Sequence, residues 1–274
     1  MKRKSILSVL LAGALAIGLV GCVAKTGAGS GEDKTIKIGV SPVPHKEIVD
    51  KIVPDLEAKG YTVEVIEFTD YVTPNTALAE GEIDANYFQH IAYLDETNEN
   101  KGLDLTYTAK IHLEPLGTYS KTVKDIKELK DGATIAIPND PSNEARALRL
   151  LEKSGLIKLA KGELITPKDI TENSKKLKFQ ELEAAQLPRV LDEVDAAVIN
   201  GNYALEAGLN PAEESIATED KEAGAAEKYK NVLAVKKGNE DLQKIKDLTE
   251  ALTSDKVKSF IEEKYSNGTV IPTF

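Results

Sequence analysis

TIKIGVSPVPHKEIVDKIVPDLEAKGYTVEVIEF, residues 35–68, reads as strand, helix, strand. Ile36, Ile38 and Val40 alternate with other residues at the period of a strand, and Pro42 and Pro44 break it. Between Lys46 and Lys59, Ile48, Val49, Ile52, Val53 and Leu56 recur at helical spacing, with Gly60 as the stop and Pro54 placed to kink the helix. Residues 62–68 return to strand. The pattern continues outward: a short helix at 76–80, a strand at 85–88, and a long extended stretch at 105–119 holding Pro115 and Gly117. Strands at 134–137, 177–182, 196–199 and 231–235 then alternate with helices at about 141–154, 187–191 and 203–207. Two helices close the chain, one marked by Leu242, Ile245, Leu248 and Leu252, the other by Val257, Phe260 and Ile261. Alternating strands and helices predict α/β lobes with mostly parallel sheets. The first lobe is short of helices and the last two helices need a sheet to cover. The chain is therefore expected to cross to a second lobe near residues 115–121 and return near 229–237. The expected layout is lobe one from 34–118 plus 236–274 and lobe two from 119–235. Two crossings make a hinge, and the cleft beside it is a favoured ligand site.

The amino terminus speaks to compartment. Lys2, Arg3 and Lys4 precede an apolar, uncharged run from Ile6 to Val20, which ends in Leu19-Val20-Gly21-Cys22. Residues 1–21 thus read as a signal peptide. Cys22, the sole cysteine, stands where a bacterial lipobox places its acylated residue, so the mature chain has no disulfide. Lipidation at Cys22 would tether the protein to a membrane rather than span it. Residues 22–33 are rich in Gly, Ala, Ser and Thr, the composition of a flexible linker. The net charge is −10, and about −13 once the three leader cations are gone. So acidic a surface argues against a nucleic-acid partner.

Enzymatic signatures are missing: no His-Glu-x-x-His, Gly-x-Ser-x-Gly, Ser-x-x-Lys or Walker-type loop occurs. His45, His90 and His112 are scattered, without short metal-ligand spacing. No cofactor and no metal are expected. A metal receptor gathering these three histidines is the main alternative within binding proteins, and a secreted hydrolase with an acidic dyad is the one outside them.

Three segments carry candidate binding chemistry. Residues 84–94 concentrate Tyr87, Phe88, His90 and Tyr93 in a chain without tryptophan. They suit either a core strand or a half-wet wall for an apolar ligand group. In residues 138–146, Asp140 suits a helix N-cap and Pro141 the first helical position. Free N–H groups there would favour an anion, and Arg146, one turn in, could clamp a carboxylate. A plain capped helix with a solvated arginine fits the same residues, and Arg149 competes for the role. Asn200, where the 196–199 strand runs into Gly201-Asn202-Tyr203, offers a donor and an acceptor at the crevice end of a sheet. A turn-forming asparagine is the other reading.

These segments resemble the methionine-binding lipoprotein family of the NlpA/MetQ type. The resemblance runs over nearly the whole mature chain, through Asn86-Tyr87-Phe88-Gln89-His90, Pro138-Asn139-Asp140-Pro141, Gln186-Leu187-Pro188-Arg189 and Ala197-Val198-Ile199-Asn200. It implies an α/β, two-lobed periplasmic-binding-protein fold of type II, with mixed sheets, flanking helices and a two-strand hinge. It implies capture of L-methionine or a close relative, delivery to an ABC permease and ATPase complex, and a lipid anchor on the extracytoplasmic face of the cell membrane. By the same resemblance Tyr87, Phe88, His90 and Tyr93, with Phe68 or Tyr71, would line the side-chain pocket. Arg146, helped by Asn139 and Asn143, would hold the carboxylate, and Asn200, with Tyr203, the amino acid's backbone groups. The sequence departs from many relatives at Ile91-Ala92 and from some at Gly201-Asn202.

Overall fold

The computed structural model describes residues 34–220 and 224–274. The signal peptide, Cys22 and the linker read from the sequence lie outside the described residues. In chain order the elements are β1 (Thr35–Val40), α1 (Glu47–Ala58), β2 (Thr62–Glu67), α2 (Thr73–Glu80), β3 (Ala85–His90), α3 (Ile91–Lys101) and β4 (Leu105–Leu113). After them come β5 (Gly117–Tyr119), β6 (Thr134–Pro138), α4 (Pro141–Lys153), a small hairpin of β7 (Lys158–Leu159) and β8 (Ile170–Glu172), β9 (Lys178–Leu182) and β10 (Ala196–Ile199). The rest is α5 (Gly201–Glu206), α6 (Pro211–Glu214), β11 (Ser215–Thr218), β12 (Lys230–Lys236), α7 (Gln243–Leu252), α8 (Asp255–Lys264) and β13 (Ile271–Pro272).

Two sheets organise two lobes. The first runs β13-β4-β12-β3-β1-β2 and the second β11-β5-β10-β6-β9. In the first lobe Ile36, Ile38 and Val40 of β1 pack with Ile48, Val49, Ile52 and Leu56 of α1 and with Ile245, Leu248, Val257 and Ile261 of the closing helices, all fully buried. Each such side chain contributes about 1.5–3 kcal/mol by leaving water. Pro54 falls inside α1, which continues to Ala58. The second lobe is built likewise around Ile135, Ile137, Leu148, Leu151, Ala196 and Val198.

Two sequence expectations need correction, and one helix had none. The sheets are mixed, as the resemblance implies, rather than mostly parallel, as the alternation of elements predicts: β1, β2 and β3 are parallel, whereas β12 is antiparallel to both β3 and β4. In the second lobe β9, β6 and β10 are parallel, and β5 runs against both of its neighbours, β10 and β11. The cause is the chain path, since each strand that enters from the other lobe runs against its new neighbours. Second, β12 belongs to the first sheet and β5 to the second, so residues 230–235 and Gly117-Thr118 change sides relative to the expected layout. Val232, Leu233, Ala234 and Val235 are fully buried between β3 and β4, which is where four consecutive apolar residues belong. The unexpected helix is α3. Its N-cap is the His90 side chain, whose Nδ1 accepts from the Tyr93 N–H.

The chain leaves the first sheet after Leu113 and enters the second at Gly117, and it leaves the second after Thr218 and is back in the first at Lys230. The two passages are bonded side by side: Glu219 N–H donates to the Leu116 carbonyl (3.0 Å), and Leu116 N–H to the Glu219 carboxylate (2.9 Å). No helix among the described residues is long and apolar enough to cross a membrane.

Candidate functional site

A cavity lies between the lobes. Lobe one supplies Tyr71 after β2, Phe88, Gln89 and His90 at the end of β3, Tyr93 in the first turn of α3, and Asn231 at the start of β12. Lobe two supplies Asn143 and Arg146 on α4 and Asn200, Gly201 and Asn202 where β10 runs into α5. Glu114 enters from the first passage between lobes. Both sheets thus present their strand ends to the crevice, as open α/β sheets do.

Arg146 is 3 % exposed and its guanidinium is held from behind. Nε (2.9 Å) and Nη2 (2.5 Å) donate to the Glu219 carboxylate, and Nη2 also donates to the Glu114 carbonyl (2.9 Å). The group lies 4.2 Å from the Tyr229 ring centre. Nη1 has no hydrogen-bond partner among the described residues, so two of the five N–H donors remain for a ligand. The solvated-arginine reading therefore does not hold.

Asp140 and Pro141 stand as N-cap and first residue of α4, as their types predict. The Asp140 carboxylate itself accepts the Asn143 N–H (2.9 Å), so the helix end offers less to an external anion than the sequence suggests. Asn143 is fully engaged: Nδ2 donates to Asp140 (2.9 Å), while Oδ1 accepts from His90 Nε2 (3.0 Å) and Asn200 Nδ2 (2.9 Å). It works as a bridge across the cleft rather than as a direct carboxylate donor. Two more hydrogen bonds join the lobes, Tyr71 O–H to Asn202 Oδ1 (2.5 Å) and Tyr203 O–H to the Thr69 carbonyl (3.2 Å). The lobes stand closed.

Burial holds His90 far below the usual histidine range, at about 3, with the nearby Arg146 charge acting in the same direction. His45, at about 4, and His112, at about 3, are also depressed first by burial. A histidine neutral in the fold but protonated when unfolded contributes fully above about pH 6.5 and loses that contribution as pH falls towards its folded value. Nitrogen NMR of the three imidazoles is expected to show no titration between pH 8 and 5, with Nε2 of His90 carrying the proton. A midpoint near 6.5 for any of them would contradict its buried environment.

Seven of the eleven predicted ligand contacts line the cavity: Tyr71, Phe88, His90, Tyr93, Asn143, Arg146 and Asn200. Four do not. Tyr87 sits one strand position from Phe88 and so faces the other side of β3, into the α1 core, with its hydroxyl on His112 Nδ1. Phe68 fills the space over Gly39, where an added Cβ would lie 2.7 Å from its ring. Asn139 and Tyr203 line a neighbouring surface cleft with Asp140, and Tyr203 backs Tyr71 at 4.9 Å between ring centres. Sequence reasoning missed Gln89, Glu114, Gly201, Asn202 and Asn231 as cavity residues. The first, third and fourth adjoin residues it had marked. Glu114 arrives from the first passage between lobes and Asn231 from the strand that follows the second, and only the fold brings the two together.

The three histidines do not form one cluster. His45 and His112 meet Glu114, with their ligand atoms within 4.8 Å of one another, while His90 is committed to Asn143 and Tyr93. His112 Nε2 is 2.6 Å from Glu114 and His45 Nε2 is 3.1 Å from Asn231 Oδ1, so these atoms already serve a buried hydrogen-bond network. Burial raises the Glu114 pKa, against the lowering influence of His45 and Arg146.

Gly201 is needed for its lack of a side chain: an added Cβ would lie 2.7 Å from Glu114 Cβ and 2.8 Å from its Oε2. Gly201→Ala is expected to cost about 1–3 kcal/mol by overpacking, read as a lowered thermal midpoint. An unchanged midpoint would show that Glu114 can move aside.

Two hinged α/β lobes closed on a cavity with polar and aromatic walls define a solute-binding protein. The model of the NlpA lipoprotein family matches residues 36–274, and the chain belongs to that family. It is 43 % identical to the methionine-binding lipoprotein MetQ of Bacillus subtilis, over 96 % of this chain and 98 % of that one. It superposes with a TM-score of 0.83 on a nutrient-binding protein from Burkholderia cenocepacia solved bound to methionine, 44 % identical, covering 87 % of this chain and 100 % of that chain. A periplasmic substrate-binding protein of an ABC transporter from Coxiella burnetii gives 0.81 at 42 % identity, covering 87 % and 100 %.

Proposed function

We propose that this chain captures a free amino acid, L-methionine or a close relative, between its lobes and delivers it to an ABC transporter. One observation carries the reading: the cavity wall is incomplete in the pattern of a zwitterion. Arg146 Nη1 offers unpaired donors to a carboxylate, and Asn200 Oδ1 is a buried acceptor without a partner, suited to an ammonium. Glu114 adds a carboxyl group to the same wall. Tyr71, Phe88 and Tyr93, with ring centres 5.6–6.1 Å apart, form a face for an apolar tail. A thioether gains about 0.3–1.5 kcal/mol per aromatic contact. The ligands named for the Bacillus and Burkholderia relatives fit this chemistry, and the Coxiella relative supports the transporter.

The mechanism has no chemical step. The open lobes take up the amino acid and close on it. Closure is driven because the ligand touches both lobes, and only a difference in affinity between the states shifts them. Acylation of Cys22 would hold the protein at the extracytoplasmic face of the membrane, beside the permease and ATPase. Calorimetric titration of protein stripped of small molecules by unfolding and refolding tests the reading. One saturable site for L-methionine is expected, and no binding would overturn it.

A further inference from the structure

We infer that Asn202 reads the ligand's side chain, donating a hydrogen bond from Nδ2 to an acceptor atom in the tail and so favouring a thioether over an all-carbon chain. The inference rests on the amino-acid reading above and deepens it. Asn202 is 2 % exposed and lines the cavity. Its Oδ1 accepts the Tyr71 hydroxyl at 2.5 Å, and its Nδ2 is buried without a partner. Among the cavity-lining residues only Asn200 Oδ1 and Asn202 Nδ2 are buried polar side-chain atoms left unpaired. Asn200 Oδ1 accepts from the ammonium, and Arg146 Nη1 serves the carboxylate. The remaining donor is tied to Tyr71, the ring that neighbours Phe88 (5.8 Å), Tyr93 (5.6 Å) and Tyr203 (4.9 Å). It therefore stands at the aromatic end of the cavity, where the tail lies.

A thioether sulfur is a weak acceptor and a sulfoxide oxygen a strong one, whereas a methylene accepts nothing. A hydrocarbon isostere would leave the Asn202 amide buried and unpaired, and sites built around a polar group reject ligands that lack it.

The test compares L-methionine with L-norleucine, which has a methylene in place of sulfur, on the full chain by calorimetry. Wild type is expected to prefer methionine by about fivefold or more. Asn202→Ala should bring the two affinities within about twofold of each other. Tyr71→Phe removes the bond between lobes but keeps the Nδ2 donor, so it should weaken both ligands together and preserve their ratio. Equal affinities in wild type, or a preference that survives Asn202→Ala, would overturn the inference and leave Asn202 as a contact between lobes. If Asn202→Ala does not fold, Asn202→Asp, which keeps the shape and an acceptor for Tyr71 but removes the Nδ2 donor, serves in its place. Binding of neither ligand to wild type would instead bring down the amino-acid reading, and this inference with it.

Discussion

Arg146→Ala is expected to weaken L-methionine binding by about a thousandfold in calorimetry, while circular dichroism still reports a folded α/β chain. Truncating one member of a buried, hydrogen-bonded charge pair costs about 2–5 kcal/mol or more in binding. Here the loss has two parts. The ligand carboxylate loses the Nη1 donors, and the Glu219 carboxylate loses the bidentate partner that holds it at 2.5 and 2.9 Å. Glu219 keeps a share of solvent, with its side chain 20 % exposed, and it still accepts the Leu116 N–H, so the fold should survive the lost pair. Arg146→Lys keeps the charge but not the fork, and should recover little of the affinity. An affinity within about tenfold of wild type would remove Arg146 from the binding machinery.

Asn200→Ala has the second-largest expected effect. Its Oδ1 is the buried acceptor proposed for the ammonium, and a hydrogen bond to a charged group contributes about 1.5–3 kcal/mol, or about 10- to 150-fold in affinity. Its Nδ2 also donates to Asn143 Oδ1, which in turn takes the His90 N–H across the cleft, so the substitution loosens lobe closure too. The two contributions separate with a methionine analogue whose ammonium is replaced by a hydroxyl. Wild type should discriminate strongly against that analogue, and Asn200→Ala only weakly. Equal discrimination by both proteins would place the ammonium elsewhere.

The sequence carried the parts of this picture that are local. The period of β1 and α1, the cap at Asp140-Pro141 and the concentration of rings in residues 87–93 are each written within a dozen residues. The misses share a different origin. α3 begins on a histidine cap and continues through Asp95, Thr97, Asn98 and Asn100, a polar run of weak helix formers that signals no helix by periodicity. Tyr87 stands among the correct residues but belongs to the opposite face of its strand, and the choice of face depends on which neighbour covers it. Tyr203 and Asn139 lie beside the cavity residues in sequence yet turn to another cleft. Glu114 and Asn231 are legible only once the two passages between lobes lie side by side, because their partners His112, His45 and Arg146 come from separate elements. Local chemistry thus marked the walls, and nonlocal topology supplied the hinge side of the cavity.

A crystal structure of the protein grown with L-methionine bears most directly on the claim that the cavity is shaped for a zwitterion with an apolar tail. The expected density has the carboxylate against Arg146 Nη1, the ammonium against Asn200 Oδ1 and the sulfur among Tyr71, Phe88 and Tyr93. Methionine bound with its carboxylate away from Arg146, or bound outside the space between the lobes, would contradict it.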